Sequence, residues 1–413
     1  MHFNLLKVAS VVANDVPQST VEKGRTLVQR TEARHNTSHA MAIHHELSTE
    51  LTARTAAHLE AATINAPALV GFDGFLDTIL QVVDQRQSAT EYTRVPTLKA
   101  FGERIAAAAN KSTNVELVVQ DVKLGGNGPI MANALAALGL PTTYCGMTGY
   151  PAVHDVFREL AARARMLSFA DPALTDAYEF EDGKLIAGKH ATVADVSYAT
   201  MRERVGESVW REAWQSAQFI GMVNWTMLPH LTELWKRIQT DFPGIAHDER
   251  KTLFFDLADP EKRTPEDIEE ALRTLADFGS KHDVILGLNE KEAFRVAEVL
   301  GLEANETGAE ERIAGLAQSI RAALDVSICV VHPTAFAGAA SRDAVAVVHG
   351  PYTAKPKIST GAGDHFNAGF CFGLLANGDL ETALQCGVGT SGFYVRNAQS
   401  PSRASLVEFL RSL

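Results

Sequence analysis

The sequence predicts an α/β fold, a mostly parallel sheet with helices on both faces, and three observations predict it. From about residue 215, short apolar runs alternate with helix-period stretches, the pattern of successive strands in a parallel sheet. Two glycine-rich turns, near 125 and near 361, each open a helix rich in small residues. The 413 residues, 46% of them hydrophobic, suffice for one large α/β domain with a small appendage, or for two domains.

Residues 1–40 fit a folded core poorly. Leu5 to Ala13 is apolar but broken by Lys7, no small-residue cleavage site follows, and 17–40 is polar without a period. The segment reads as a disordered leader, or as an over-called start with Met41 the true one. A helical extension is expected over 41–66: Ser48 to Ala62 puts Leu51, Thr55, Leu59 and Ala62 on one side, with Ser48 as cap. The main domain, 67–413, opens with a short buried strand from Ala68. That strand ends in a turn carrying Asp73 and Gly74, with Asp77 just beyond. Strand-like pieces in 78–95 and 112–124 flank a helix from Thr97 to Asn110. Gly125-Gly126-Asn127-Gly128-Pro129 then leads into an alanine-rich helix, proline near its start.

Residues 141–148 read as a strand, and Tyr178 to Ile186 as a hairpin on the Asp182-Gly183 turn. Gly183, Gly188, Lys189 and His190 come close to a Walker A loop. The spacing is one residue short, His190 has no hydroxyl for Mg²⁺, and a hairpin is not a strand-to-helix turn, so no nucleotide site is assigned there. Further strands are expected at Gln218–Asn224, from Thr252 to the acids Asp256 and Asp259, at Asp283–Leu288 and at Ser327–Val331. Helices fall at Leu231–Thr240, after Thr264-Pro265 and at Gly387–Arg396.

Net charge is −12 with no dense basic block, which argues against a nucleic-acid groove and against an anionic membrane surface. Cys145, Cys329, Cys371 and Cys386 form no Cys-x-x-Cys pair and read as buried reduced thiols of a cytoplasmic protein. No apolar run approaches transmembrane length.

The chemistry concentrates at Thr360-Gly361-Ala362-Gly363-Asp364-His365-Phe366. Glycines let a ligand approach the main chain, and the first N–H groups of a helix have no internal partner and sit at the positive end of its dipole. The turn is therefore an anion site. Asp364 at its edge suits phosphoryl transfer, in which a carboxylate takes the proton of the attacking hydroxyl while backbone N–H groups hold the spreading charge. A plain helix N-cap would also account for an Asp here.

This stretch resembles the C-terminal signature of the ribokinase-like carbohydrate kinases, the PfkB family. The resemblance covers about residue 67 to the C-terminus. It implies a ribokinase-like fold with a small β lid, its strands within about 78–124 and 176–200, and a lid that often makes a homodimer interface. It implies Mg²⁺-dependent transfer from ATP to a hydroxyl of a sugar or nucleoside-like metabolite. Asp364 would be the base, with Gly361, Ala362 and Gly363 as the anion hole. An Asp after the first strand binds sugar hydroxyls, here Asp77, or Asp73 if the turn is longer. Gly125 and Gly126 resemble the family's sugar-binding Gly-Gly turn. Its Asn, five residues after the first Gly, is Ile130 here, so Asn127 is taken as a substituted contact. Common ring sugars such as ribose or fructose are then expected to be poor acceptors. Asn289 and Glu292 fit an Asn-x-x-Glu element that serves Mg²⁺, often through water. Thr334 falls beside the nucleotide, although the family's Thr-x-Gly-x-x-Gly turn has lost its glycines, and Asn397 falls in the loop near the adenine. Ile358 stands where ribokinases keep an Asp for a monovalent cation, so potassium activation is not expected.

Two other classes remain open at this point. A non-catalytic sugar or nucleoside sensor would explain Ile130 and the missing glycines. A Rossmann dehydrogenase would need a third glycine and an early fingerprint strand that the chain lacks.

Overall fold

Apolar runs bounded by turn residues become the strands of a nine-stranded sheet in the computed structural model, which describes residues 49–241, 250–303 and 308–413. From edge to edge the strands are Val345–His349, Phe336–Ala340, Ile328–Val331, Asp283–Leu288, Thr252–Asp256, Phe219–Met222, Ala68–Gly71, Thr142–Gly146 and Ala164–Ser168. The pairings from Ile328–Val331 through to Ala164–Ser168 are parallel, and the first two strands add an antiparallel edge. Ala68–Gly71 and Phe219–Met222 are buried at every residue, as expected of central parallel strands covered on both faces. The core packs Trp210, Trp214, Trp225 and Trp235 with Phe255, Leu272 and Leu286.

A second sheet of five strands contains the segments expected to form a lid. Phe75–Arg86 is its spine, paired with Leu117–Gly125, Tyr92–Arg94 and Ala173–Phe180, and Gly183–Lys189 completes the hairpin. The Walker-like segment lies in that hairpin, as expected, with Lys189 paired to Asp176 at 2.8 Å. Leu117, Val119, Val122, Leu185 and Ile186 are exposed on the lid strands.

Small residues decide how the two C-terminal helices, Ala362–Leu375 and Leu380–Asn397, meet. A Cβ on Gly369 would lie 2.4 Å from Thr390 Oγ1, and one on Gly373 would lie 2.8 Å from Ala383 Cα. Only glycine allows this approach. The compact unit Thr52–Leu413 also takes in most of a helix over 49–61. Thr55, Ala56 and Leu59 are fully buried, and Arg403 donates to the carbonyls of Leu59 and Ala62 at that helix's end. The expected leader and the Ser48 cap lie outside the described residues.

Five polar side chains end a parallel strand or lie within two residues of its end: Asp73, Asn224, Asp256, Asn289 and His332. The sheet thus delivers them to one edge, the carboxyl ends of its strands, where α/β sheets place their ligands.

Candidate active site

Two glycine turns converge on one carboxylate. Ser359–Ala362 forms a β-turn closed by Ala362 N–H to Ser359 O at 3.1 Å. Gly361 has φ 86° and ψ 3°, and Thr360 has no positive φ, which together define a type II turn with its glycine where the type requires one. The signature helix starts at Ala362, and Asp364 lies buried in its first turn. Of the three residues expected to form the anion hole, Ala362 spends its N–H on closing the turn. Among the described residues, the Gly361 and Gly363 N–H groups find no acceptor.

The other turn explains its own glycines. Gly125 faces Asp77 and Gly126 faces Asp73: added Cβ atoms would lie 2.4 Å from Asp77 Oδ2 and 2.7 Å from Asp73 Oδ2. Asp73 is fully buried, accepts from Gly128 N–H at 2.8 Å and from Asn224 Nδ2 at 2.6 Å, and its backbone carbonyl accepts the Tyr144 hydroxyl. Burial raises it to about 6 against the pull of the Asn224 bond. Asp73 thus anchors the turn, whereas Asp77 remains partly open at the root of the lid, opposite Lys123 and Thr175, and lines a cleft. From the same turn, Asn127 Nδ2 donates to Asp364 Oδ1 at 2.9 Å. Burial, with the Asp73 carboxylate adding to it, pushes Asp364 up to about 8.

Near Asp364 sit two more acids. Asp256 Oδ2 accepts from Asn367 Nδ2 at 2.8 Å and its Oδ1 from Ala258 N–H at 2.8 Å. Glu292 accepts from the N–H groups of Asp259 and Asn289, each at 2.8 Å, while Asn289 Oδ1 caps the helix by accepting from Glu292 N–H. Asp256 is raised by burial and by its neighbours Glu292 and Asp364, and Glu292 by burial. Such mutual repulsion favours a cation nearby, and each Glu292 oxygen keeps a lone pair for a water. Among the described residues no three His, Cys, Asp or Glu side chains form a metal cage.

A cavity of about 400 Å³ opens beside the signature turn. Its lining includes Asn289, His332, Thr334, Tyr352, Gly363 and Val395. Thr334 is therefore brought to the cavity. Asn397 is not, since it ends the helix Leu380–Asn397, exposed, with its amide bonded back to Phe393 O. A second cleft, about 490 Å³, lies across the turn and is lined by Asp77, Lys123, Ile130, Thr360, His365 and Tyr394 among others. Sequence reasoning missed Asn224, His332 and His365. Asn224 carries a signal in its position, an Asn with φ 61° just past a buried strand. His332 was visible as the residue after a strand, and His365 as the residue after Asp364.

Comparison with known proteins supports the same chemistry. The family model described as prokaryotic ketohexokinase matches residues 45–412. A ketohexokinase of Haloferax volcanii is 29% identical over 343 residues, 83% of this chain and 90% of that protein. Among solved structures, Arabidopsis thaliana ribokinase complexed with ribose and ATP aligns with a TM-score of 0.59 at 16% identity, over 84% of this chain and 99% of that one. Phosphofructokinase-2 of Escherichia coli aligns at 0.56 and 14% identity, over 85% and 99%. These structural likenesses show the ribokinase fold. The chain belongs to the prokaryotic ketohexokinase family, among the PfkB-type carbohydrate kinases, and its activity is phosphorylation of a sugar by ATP.

Proposed function

We propose that this kinase phosphorylates a ketohexose and that Asp364 is the base which takes the proton from the attacking hydroxyl. The observation that carries the assignment is the bond from Asn127 to Asp364, because it joins the Gly125-Gly126 turn to the Gly361–Gly363 turn across one buried carboxylate. An acceptor held by Asp77 and the first turn, with its hydroxyl at Asp364, would face a donor phosphate in the cavity beside Gly363. The free N–H groups of Gly361 and Gly363 would hold charge on the transferring group. Asn289 and Glu292 would hold Mg²⁺ through water, and the ion supplies neutralisation of charge on the donor phosphates. Thr334 would sit beside the nucleotide.

A ketohexose runs against the expectation, drawn from Ile130, that fructose is a poor acceptor. Ile130 Cδ1 and Cγ2 both lie 3.3 Å from where a Gly361 Cβ would be. The side chain packs against the anion turn and also lines the cleft beside Asp77, so it would bound the acceptor as an apolar wall, with Asn127 left to make the polar contact. The family and the Haloferax volcanii relative, itself a ketohexokinase, support the choice. Exposed apolar residues on the lid support a homodimer through that sheet. The four cysteines are buried and unpaired, which supports a cytoplasmic enzyme.

The test is a panel of D-fructose, D-glucose, D-ribose and adenosine with ATP and Mg²⁺. D-fructose should give the highest kcat/KM. A preference for ribose or adenosine by tenfold or more, roughly 1.4 kcal/mol, would overturn the acceptor assignment.

A further inference from the structure

Tyr394 and His365 stand on the side of the anion turn that faces away from the phosphate cavity. Their rings stack with centroids 3.6 Å apart at 12°. The Tyr394 hydroxyl donates to Thr360 O at 2.9 Å. His365 Nδ1 lies 2.7 Å from Gly361 O, which also accepts the His365 backbone N–H at 3.1 Å. A carbonyl can only accept, so Nδ1 carries the proton and Nε2 accepts. Its donor is the Ser400 hydroxyl at 2.9 Å, which in turn accepts from Asn133 Nδ2 at 3.2 Å. Burial lowers the imidazole to about 4, which keeps it neutral, and raises the Tyr394 phenol to about 12, which keeps it a donor.

The bonded carbonyls matter because of where their peptide units lie. Thr360 O and Gly361 N–H are opposite ends of one planar unit. In a β-turn this central unit can turn over, which interconverts types I and II. Ser359, Ala362 and Gly363 line the phosphate cavity, while Thr360, His365 and Tyr394 line the cleft across the turn. A hydroxyl that holds Thr360 O from the second side therefore keeps the Gly361 N–H directed to the first.

We propose that Tyr394 and His365 are positioning residues for phosphoryl transfer, binding the carbonyls of Thr360 and Gly361 from behind so that the anion turn presents its Gly361 N–H to the transferring group. This rests on the assignment of the 361–363 turn as the anion hole. Both also line the cleft beside Asp77, so KM for the sugar is read alongside kcat. Losing the Tyr394 bond frees the central peptide to turn over, so the effect falls on the transition state and not on ground-state binding.

Tyr394→Phe keeps the ring stack and removes only the hydroxyl. Its kcat should fall about tenfold, the worth of one buried hydrogen bond. KM for ATP and for the sugar should stay within about twofold. Affinity for ADP should be unchanged, while affinity for ADP with aluminium fluoride, which mimics the group in flight, should fall in step with kcat. His365→Asn, which retains a donor, should outperform His365→Leu. A Tyr394→Phe enzyme with wild-type kcat and only a lowered Tm would overturn the inference. So would a fall in kcat that the fluoride complex does not share. Asp364→Asn is the control. If it is inactive while Tyr394→Phe is normal, the positioning role alone fails; if it is fully active, Asp364 is not the base and the reading of this turn as the phosphoryl-transfer site fails with it.

Discussion

Replacing Asn127 by Leu should move the acid limb of the pH–rate profile upward. Asn127 Nδ2 donates to Asp364 Oδ1 at 2.9 Å, a side-chain hydrogen bond that favours the ionised base. Burial and the Asp73 charge oppose it and hold Asp364 at about 8. Leu keeps the bulk and removes the donor. A hydrogen bond to a charged group is worth about 1.5–3 kcal/mol, and one pKa step costs about 1.4, so Asp364 should rise by roughly one to two units. The base works only when ionised, so activity is lost as pH falls through its pKa. At pH 7, on the sloping part of the wild-type curve, kcat/KM should therefore drop roughly tenfold to a hundredfold, and it should recover toward the wild-type plateau at high pH. The assay is kcat/KM for D-fructose from pH 6 to 10 at saturating ATP, followed by ADP release. A uniformly depressed profile with an unmoved limb would refute the reasoning and make Asn127 a sugar contact instead.

Gly126→Ala should cost about 2–3 kcal/mol in urea unfolding, because its Cβ would lie 2.7 Å from Asp73 Oδ2 and its φ is 99°; an unchanged midpoint would show that the turn relaxes freely. Asp364→Asn should be more stable than wild type at high pH, without nucleotide or Mg²⁺. The buried acid's contribution is fully present below its unfolded pKa and is lost as pH rises through about 8, so the gap should reach roughly 2–5 kcal/mol by pH 9 and vanish near pH 4. Equal melting temperatures across that range would place Asp364 in water. Potassium and sodium salts at fixed ionic strength should support equal rates, since Ile358 brings no oxygen to the cation position. Strong potassium activation would mean that other oxygens complete such a site.

The sheet was legible where apolar runs were short and bounded. Asp283–Leu288 was read to the residue, and the hairpin at Asp182-Gly183 was read from its turn. The strand Ala164–Ser168 was not read, because Arg165 and Met166 break its alternation. The strand Phe336–Ala340 was missed because its small residues carry little β signal, and its valine-rich partner Val345–His349 was passed over with it. At the site, glycine turns announce themselves because backbone geometry restricts the residue type. What remained hidden are contacts between distant parts of the chain: Asn224 with Asp73, Asn367 with Asp256, and Ser400 with His365. An amide or a hydroxyl is common anywhere, and only the fold selects its partner. Asn127 was singled out for its place in a turn, yet its bond to Asp364 crosses from one end of the domain to the other.

The most direct test pairs binding with turnover in Asp364→Asn. Calorimetry should show D-fructose and ATP bound nearly as in wild type, because the change keeps the side chain's volume. Phosphorus NMR of the same sample with Mg²⁺ should show wild type converting ATP to ADP and a sugar phosphomonoester in equal amounts, and the variant slower by roughly 10²–10⁴. Wild-type turnover in the variant, or ADP appearing with inorganic phosphate instead of a sugar phosphate in wild type, would contradict a sugar kinase that uses Asp364 as its base.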